Sequence, residues 1–176
     1  FRSINDDWGT ALALDALSQK KSPMGLHEQA IRLQEESLAI RQSLGDRRGI
    51  ARSYYILGNL VLHVGQIEAS ETYLRKSLSI LRTMDNPALL SNPLSVLGIN
   101  LVFAGKFEEC IASYEEAWAI HKEFGLPQEP FTSSVGTILA KINLGRYEEA
   151  RLQAQTSLVR YRRLDNNWNT AFMLFN

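Results

Sequence analysis

One cysteine, three histidines and four pairs of adjacent glutamates are the residues of this chain with the most chemistry to offer. A cysteine beside a histidine can supply a thiolate nucleophile. Histidines on one helix face can hold a metal, and two facing carboxylates can divide acid and base work. The spacing supports none of these. His27, His63 and His121 never form an i, i+4 pair. Glu108 and Glu109, like Glu148 and Glu149, are chain neighbours, so on a helix they point to different faces. Cys110 recurs in phase with Ala30, Ser70 and Ala150, a column of small residues, and reads as an inert packing position. No glycine loop fit to cradle phosphate is present. The basic run RYRR at 160–163 reads as a solvated helix end. The chain is therefore expected to be no enzyme, with no catalytic residue, cofactor or metal site.

The phase that places Cys110 runs through the whole chain. Gly25, Gly65, Gly105 and Gly145 open GLHEQA, GQIEAS, GKFEEC and GRYEEA at a constant interval of 40 residues. Ser37, Ser77, Ala117 and Ser157 are small in the same phase; Leu38, Leu78, Trp118 and Leu158 are large. Self-similarity at this period marks a solenoid. Each unit reads as two helices. Ile50, Tyr54, Leu57 and Val61 recur at helical spacing. Gly65 then breaks the chain, and a second helix turns Ile67, Ser70, Leu74, Ser77, Leu78 and Leu81 inward. Asp46 and Asn86 are expected as N-caps, with Pro87 at a first helical position. Gly58 and Gly98 are expected to face Ser70 and Cys110, letting the two helices approach closely. Pro23 should stop the first helix about a turn early, and Pro93 should kink or delay the fifth. The predicted fold is all-α, a right-handed superhelical solenoid of stacked antiparallel hairpins. Repeat units span about 8–46, 47–86, 87–126 and 127–166, with partial units at 1–7 and 167–176.

The segments LGNLVLHVGQIEAS and LGINLVFAGKFEEC resemble the tetratricopeptide repeat family, with its Leu-Gly, seven residues, then Gly-x-aromatic-Glu-x-small pattern. The resemblance covers essentially the whole chain. Forty-residue units are similar to those of kinesin light chains and of bacterial multidomain regulators, and SLAIRQSLGDRRGIARSYYILGNL most resembles the regulator type. Departures are Ser18 and Ile138 in the column that holds Gly58 and Gly98. The resemblance implies a non-catalytic interaction module whose first helices line a concave groove for a partner peptide, helix or effector domain. The groove columns are Arg52, Tyr55, Asn59, Leu62 and His63, then Asn92, Ser95, Ile99, Val102 and Phe103, then Thr132, Val135, Leu139, Ile142 and Asn143. Leu12, Asp15 and Gln19 stand in the first copy. The resemblance also raises a clamp for a terminal carboxylate. Arg52 and Asn59 suit it, but its expected lysine column holds Asp15, Tyr55, Ser95 and Val135.

Nineteen basic and nineteen acidic residues cancel, so bulk charge argues for neither nucleic acid nor a membrane surface. No apolar run nears the roughly 20 residues of a membrane span, and no signal peptide is visible. A lone cysteine excludes an intramolecular disulfide and fits a reducing, cytoplasmic setting. The chain starts at Phe1 and reads as a piece of something larger. Trp168, Phe172, Leu174 and Phe175 begin a helix with nothing after it to cover them, so self-association through the uncapped ends is expected. The alternative function is a spacer or dimerisation platform with an idle groove.

Overall fold

The computed structural model describes residues 6–125 and 131–163. Among these, eight α-helices follow one another: α1 Asp7–Lys21, α2 His27–Ser43, α3 Arg47–His63, α4 Ile67–Leu81, α5 Ser91–Phe103, α6 Phe107–Glu123, α7 Phe131–Asn143 and α8 Tyr147–Arg163. Each packs on its chain neighbours, and the first helices also touch one another, α3 on α5 and α5 on α7. This is a solenoid of helix hairpins with no strand among the described residues. The expected ends, with Trp168, Phe172, Leu174 and Phe175, lie outside the described residues.

The turns follow the glycine phase. Gly25, Gly65, Gly105 and Gly145 all take φ between 71 and 78°, a region glycine enters without steric cost. Asp46 caps α3 by accepting the Gly49 N–H at 2.9 Å. Asn86 does not cap: it precedes a short 3₁₀ turn, Pro87–Leu90, without a side-chain bond, and α5 starts only at Ser91. Pro93 then falls in the first turn of α5, where no N–H is needed, so it delays the helix rather than kinking it. Pro23 sits in a second 3₁₀ turn, Ser22–Met24, and α1 ends at Lys21.

At the crossing inside each hairpin, volume on one helix answers volume on the other. A methyl group added at Gly58 would lie 2.7 Å from Leu74 Cγ, and one at Gly98 would lie 2.6 Å from Tyr114 Cζ. Gly58 does face the expected Ser70, whose carbonyl oxygen would lie 3.3 Å from the added methyl, though Leu74 is nearer; at Gly98 the nearest atoms are those of Tyr114, not of the expected Cys110, because the larger side chain reaches across the crossing. Gly136 meets the same tyrosine from α7, where an added methyl would lie 2.5 Å from Tyr114 Cε2. The fully buried Cys110 thiol lies 3.8 Å from the Gly136 carbonyl, and burial pushes its pKa up to about 12. Ser37 and Ser77 do more than yield space: Ser77 Oγ donates to the Ala51 carbonyl at 2.7 Å, tying second helix to first. Asn100, in the column of Leu60 and Ala140, is buried and donates to the Ile67 carbonyl at 2.8 Å.

The middle hairpins share an apolar core of leucines from α4 and α5 with Ile111, Tyr114 and Ile120 from α6. The first hairpin does not. Where α4 has Leu74 and Leu81, α2 has Gln34 and Arg41. Both surround Asp15, which is 2% exposed. Arg41 Nη2 reaches Asp15 Oδ2 at 2.6 Å, and Gln34 Nε2 and Ser37 Oγ donate to Oδ1 at 2.8 and 2.7 Å. Gln34 also donates to Ser53 Oγ at 3.1 Å, and Arg41 Nη1 to the capping Asp46 at 3.3 Å. The network thus joins α1, α2 and α3. Between later repeats the bond is on the surface: Lys106 with Glu71, Arg75 with Glu109 and Arg82 with Glu116 pair at 2.9, 2.6 and 2.9 Å. Burial disfavours ionised Glu71, but Lys106 and Arg75 hold its pKa below the usual value.

Three measurements test this core. Gly98→Ala should lower stability by about 1–3 kcal/mol, the cost of overpacking, in urea denaturation. No loss would mean that the Tyr114 ring yields. Arg41→Leu should cost about 3–5 kcal/mol because it strands a buried carboxylate, whereas Asp15→Leu with Arg41→Leu should recover most of that. A double variant as unstable as the single one would refute the pairing. Cys110 should resist a thiol reagent at pH 8 in the folded chain and react fully once unfolded; rapid native labelling would contradict its burial.

Candidate functional site

The first helices α1, α3, α5 and α7 carry the expected groove columns, and the structure gathers part of them. A cleft of about 540 Å³ opens where α1, α3 and α5 meet. Of the groove columns of the second to fourth copies, Arg52 and Tyr55 of α3 and Asn92 of α5 line it. From α1 come Leu12 and Gln19, as the register implies, together with Trp8. Trp8, Arg48 and Leu89 escape the sequence reading. Trp8 and Arg48 stand 40 residues apart, one turn before Leu12 and Arg52, so continuing the columns toward the helix starts would find both.

The cleft has a built polar wall. Arg52 Nε lies 3.4 Å from Asp15 Oδ2, while its side chain remains 55% exposed. Asp15 is thus not a groove contact, as its column implied, but a buried anchor under Arg52. Arg48 is exposed on the same helix, one turn earlier. Tyr55 is half-buried and packs against both apolar clusters of the molecule. Burial raises its phenol pKa, against a weaker opposing pull from Arg52, so the hydroxyl keeps its proton. Asn92 is exposed across the cleft. Leu12 and Trp8 add exposed apolar surface. A partner here would meet two cations, amide groups and an aromatic wall.

The remaining assigned residues do not line this cleft. Asn59, Ile99 and Val135 are half-buried on α3, α5 and α7, and Ile99 packs against the core. Ser95 is 9% exposed and donates to the Ser91 carbonyl one turn back, so it is a floor residue rather than an offered contact. His63 stacks on His27 with ring centroids 5.9 Å apart and an interplanar angle of 7°, a pairing that sequence spacing hides because it joins α3 to α2. Asn143 turns its amide onto the Leu139 carbonyl at 2.8 Å. Phe103 and Leu139 are exposed apolar surface nearer the helix ends. Among the described residues, no group of three or more His, Cys, Asp or Glu side chains is placed to hold a metal ion, and no helix is long and apolar enough to cross a membrane.

The family model that matches is Tetratricopeptide repeat, over residues 10–83. Comparison with curated proteins finds no match. Among solved structures, the chain is similar to a Rap protein complexed with competence and sporulation factor, at a TM-score of 0.83 and 14% identity. That likeness covers 97% of this chain and 47% of the Rap chain, so this chain spans about half of that protein. It is also similar to MamA protein, at a TM-score of 0.53 and 17% identity, over 89% of this chain and 94% of that one. At such identities the likeness carries the fold alone. Residues 10–83, the first two of four hairpins that repeat at one interval, are thus the part of the chain that matches the tetratricopeptide repeat model.

Proposed function

We propose that this array is a non-catalytic receptor for a partner peptide, a partner helix or an effector domain, seated in the concave groove. Tetratricopeptide repeats are interaction scaffolds, and the observation that carries the reading to this chain is the cleft between α1, α3 and α5. Its volume falls in the range of roughly 300–1,000 Å³ usual for ligand sites. Arg52 and Asn92 supply directed donors, and Trp8, Leu12 and Tyr55 supply anchoring surface. Asn59, His63, Ile99, Phe103, Val135, Leu139 and Asn143 continue the same track along α3, α5 and α7. The fold shared with a Rap protein held in complex with a factor supports a ligand-binding array. We assign the chain to a bacterial signalling or transcription-regulatory protein of the cytoplasm.

Tyr55 packs on the core as well as facing the cleft, so its removal would confound binding with stability. Arg52→Ala with Asn92→Ala is the cleaner probe, because Asp15 keeps Arg41, Gln34 and Ser37. The chain and this double variant would serve as baits in a lysate of the source organism, with quantitative mass spectrometry as readout. A protein held by the chain should be retained at least about tenfold less by the variant, the loss expected for one hydrogen bond to a charged group. Equal retention, with unchanged melting temperature, would reject the groove and favour a spacer or dimerisation platform.

A further inference from the structure

The second helices turn one face outward, and five positions of that face recur in phase. On α2 they are Glu28, Arg32, Glu35, Ala39 and Gln42; the same columns continue 40, 80 and 120 residues on, in α4, α6 and α8. All are exposed in every copy. The face stays open even on α6, which a further hairpin follows. A hairpin after α8 would therefore leave this face of α8 open too.

Glutamate begins the face on all four helices, and Gln42, Arg82, Lys122 and Arg162 end it. Between them, α2, α4 and α6 carry only polar or small residues: Arg32, Thr72 and Ala112 in one column, Ala39, Ser79 and Ala119 in another. α8 departs in both. Leu152 and Val159 stand there, 64% and 50% exposed, and neither joins an apolar cluster of the core. The middle column changes as well. Glu35, Arg75 and Glu115 are charged, and its fourth member is the neutral Gln155.

The spacing makes this face its own complement. Glu148 lies seven residues before Gln155 and Arg162 seven after, and seven residues are about two helical turns, so all three share one side. A second α8 laid antiparallel, about a two-fold axis through Gln155, sets Glu148 against the partner's Arg162. Symmetry sets Arg162 against the partner's Glu148. Leu152 then comes within one residue, about 1.5 Å along the axis, of the level of the partner's Val159. The two Gln155 amides meet on the axis, and an amide both donates and accepts, so it can pair with its own copy. On the other helices the same axis would press Glu35, Arg75 or Glu115 against a like charge. Glu148 also has room for a second guanidinium. Arg151 reaches only its Oε2, with Nε at 3.0 Å and Nη2 at 2.7 Å, which leaves Oε1 to accept. Glu71 already takes two bases within the array, Lys106 and Arg75.

We propose that α8 pairs antiparallel with α8 of a second copy, making the array a two-fold dimer through the outer face of its fourth hairpin. The cleft among α1, α3 and α5 lies elsewhere, so the dimer offers it twice. Sedimentation equilibrium of the chain tests this, and a reversible monomer–dimer equilibrium is expected. In an isologous contact each substitution counts twice. Val159→Asp should therefore weaken the dimer at least about a hundredfold, with the melting temperature of the monomer unchanged because the side chain is exposed. Glu148→Arg and Arg162→Glu should each weaken it about tenfold, and the two together should restore it. A chain that stays monomeric up to millimolar concentration overturns the proposal. A dimer that survives Val159→Asp uses another surface and overturns it as well. So does a charge exchange that leaves the fold intact and fails to restore the dimer.

Discussion

Two helices packed face to face cannot both present large side chains at their crossing. That steric constraint governs every hairpin here. Gly58 admits Leu74, and Gly98 admits Tyr114. At the corresponding positions the fourth hairpin exchanges the sizes, with Ile138 on α7 and Ala154 on α8, and the first carries Ser18 and Gln34. The sum is conserved while the contributors change, as expected for interiors packed to crystal-like density. Gly136 follows from the same rule. It lies outside the glycine column because its task is to clear Tyr114 of the neighbouring hairpin rather than its own hairpin partner. Close approach at the crossing then lets each hairpin present a continuous apolar face to the next, and stacking buries what one hairpin alone would expose.

The first hairpin meets the same volume constraint with polar atoms, and there the core becomes connected to function. Replacing leucines by Gln34 and Arg41 around Asp15 forfeits hydrophobic transfer and creates charges that must pair in low dielectric. Asp15 compensates by accepting from Arg41, Gln34 and Ser37. Its Oδ2 also faces Arg52 at the cleft. The carboxylate therefore fixes the position of one exposed cation while remaining itself out of reach. An apolar core would have filled the space equally well but would have left Arg52 free to wander over the surface.

Much of this is legible in the residues alone. The interval of 40, the turn glycines and the Asp46 cap all follow from residue type and spacing, because backbone geometry at a turn or a cap admits few residues. The column of Cys110 is enough to mark it as a packing residue. Other features are hidden because a column tells where a side chain is and not whom it meets. Position-by-position pairing matches Gly98 to Cys110, one turn from its true partner, because Tyr114 reaches further than such pairing allows. Asp15 has the register of groove surface, since the ion pair that buries it depends on Arg41, which lies 26 residues away on another helix. The stacked His27 and His63 belong to different helices for the same reason. Asn86 has the type and place of a cap, but α5 starts later because Pro93 occupies its first turn.

The two faces of the array are under different constraints, which explains where variation collects. Positions at the hairpin crossing are coupled in pairs, so a change on one helix demands a change on the other. Positions on the floor between successive second helices are not paired in this way, and Leu97 and Leu101 can give way to Thr137 and Lys141 without a steric conflict. The exchange still forgoes about 1.5–3 kcal/mol for each leucine that would have been buried. The fourth hairpin has no ion pair in the place of Arg75–Glu109 or Arg82–Glu116; its surface tie to the third is Arg146 with Glu108 at 2.6 Å. What it gains is the Tyr114 ring pressed against two glycine backbones, whose dispersion contacts replace part of the lost burial. A phenylalanine would supply those contacts as well, without a stranded hydroxyl. The polar choice at Thr137, Lys141 and Gln153 is matched within the array itself, through the bonds from Lys141 to Gln153 and from Gln153 to Thr137.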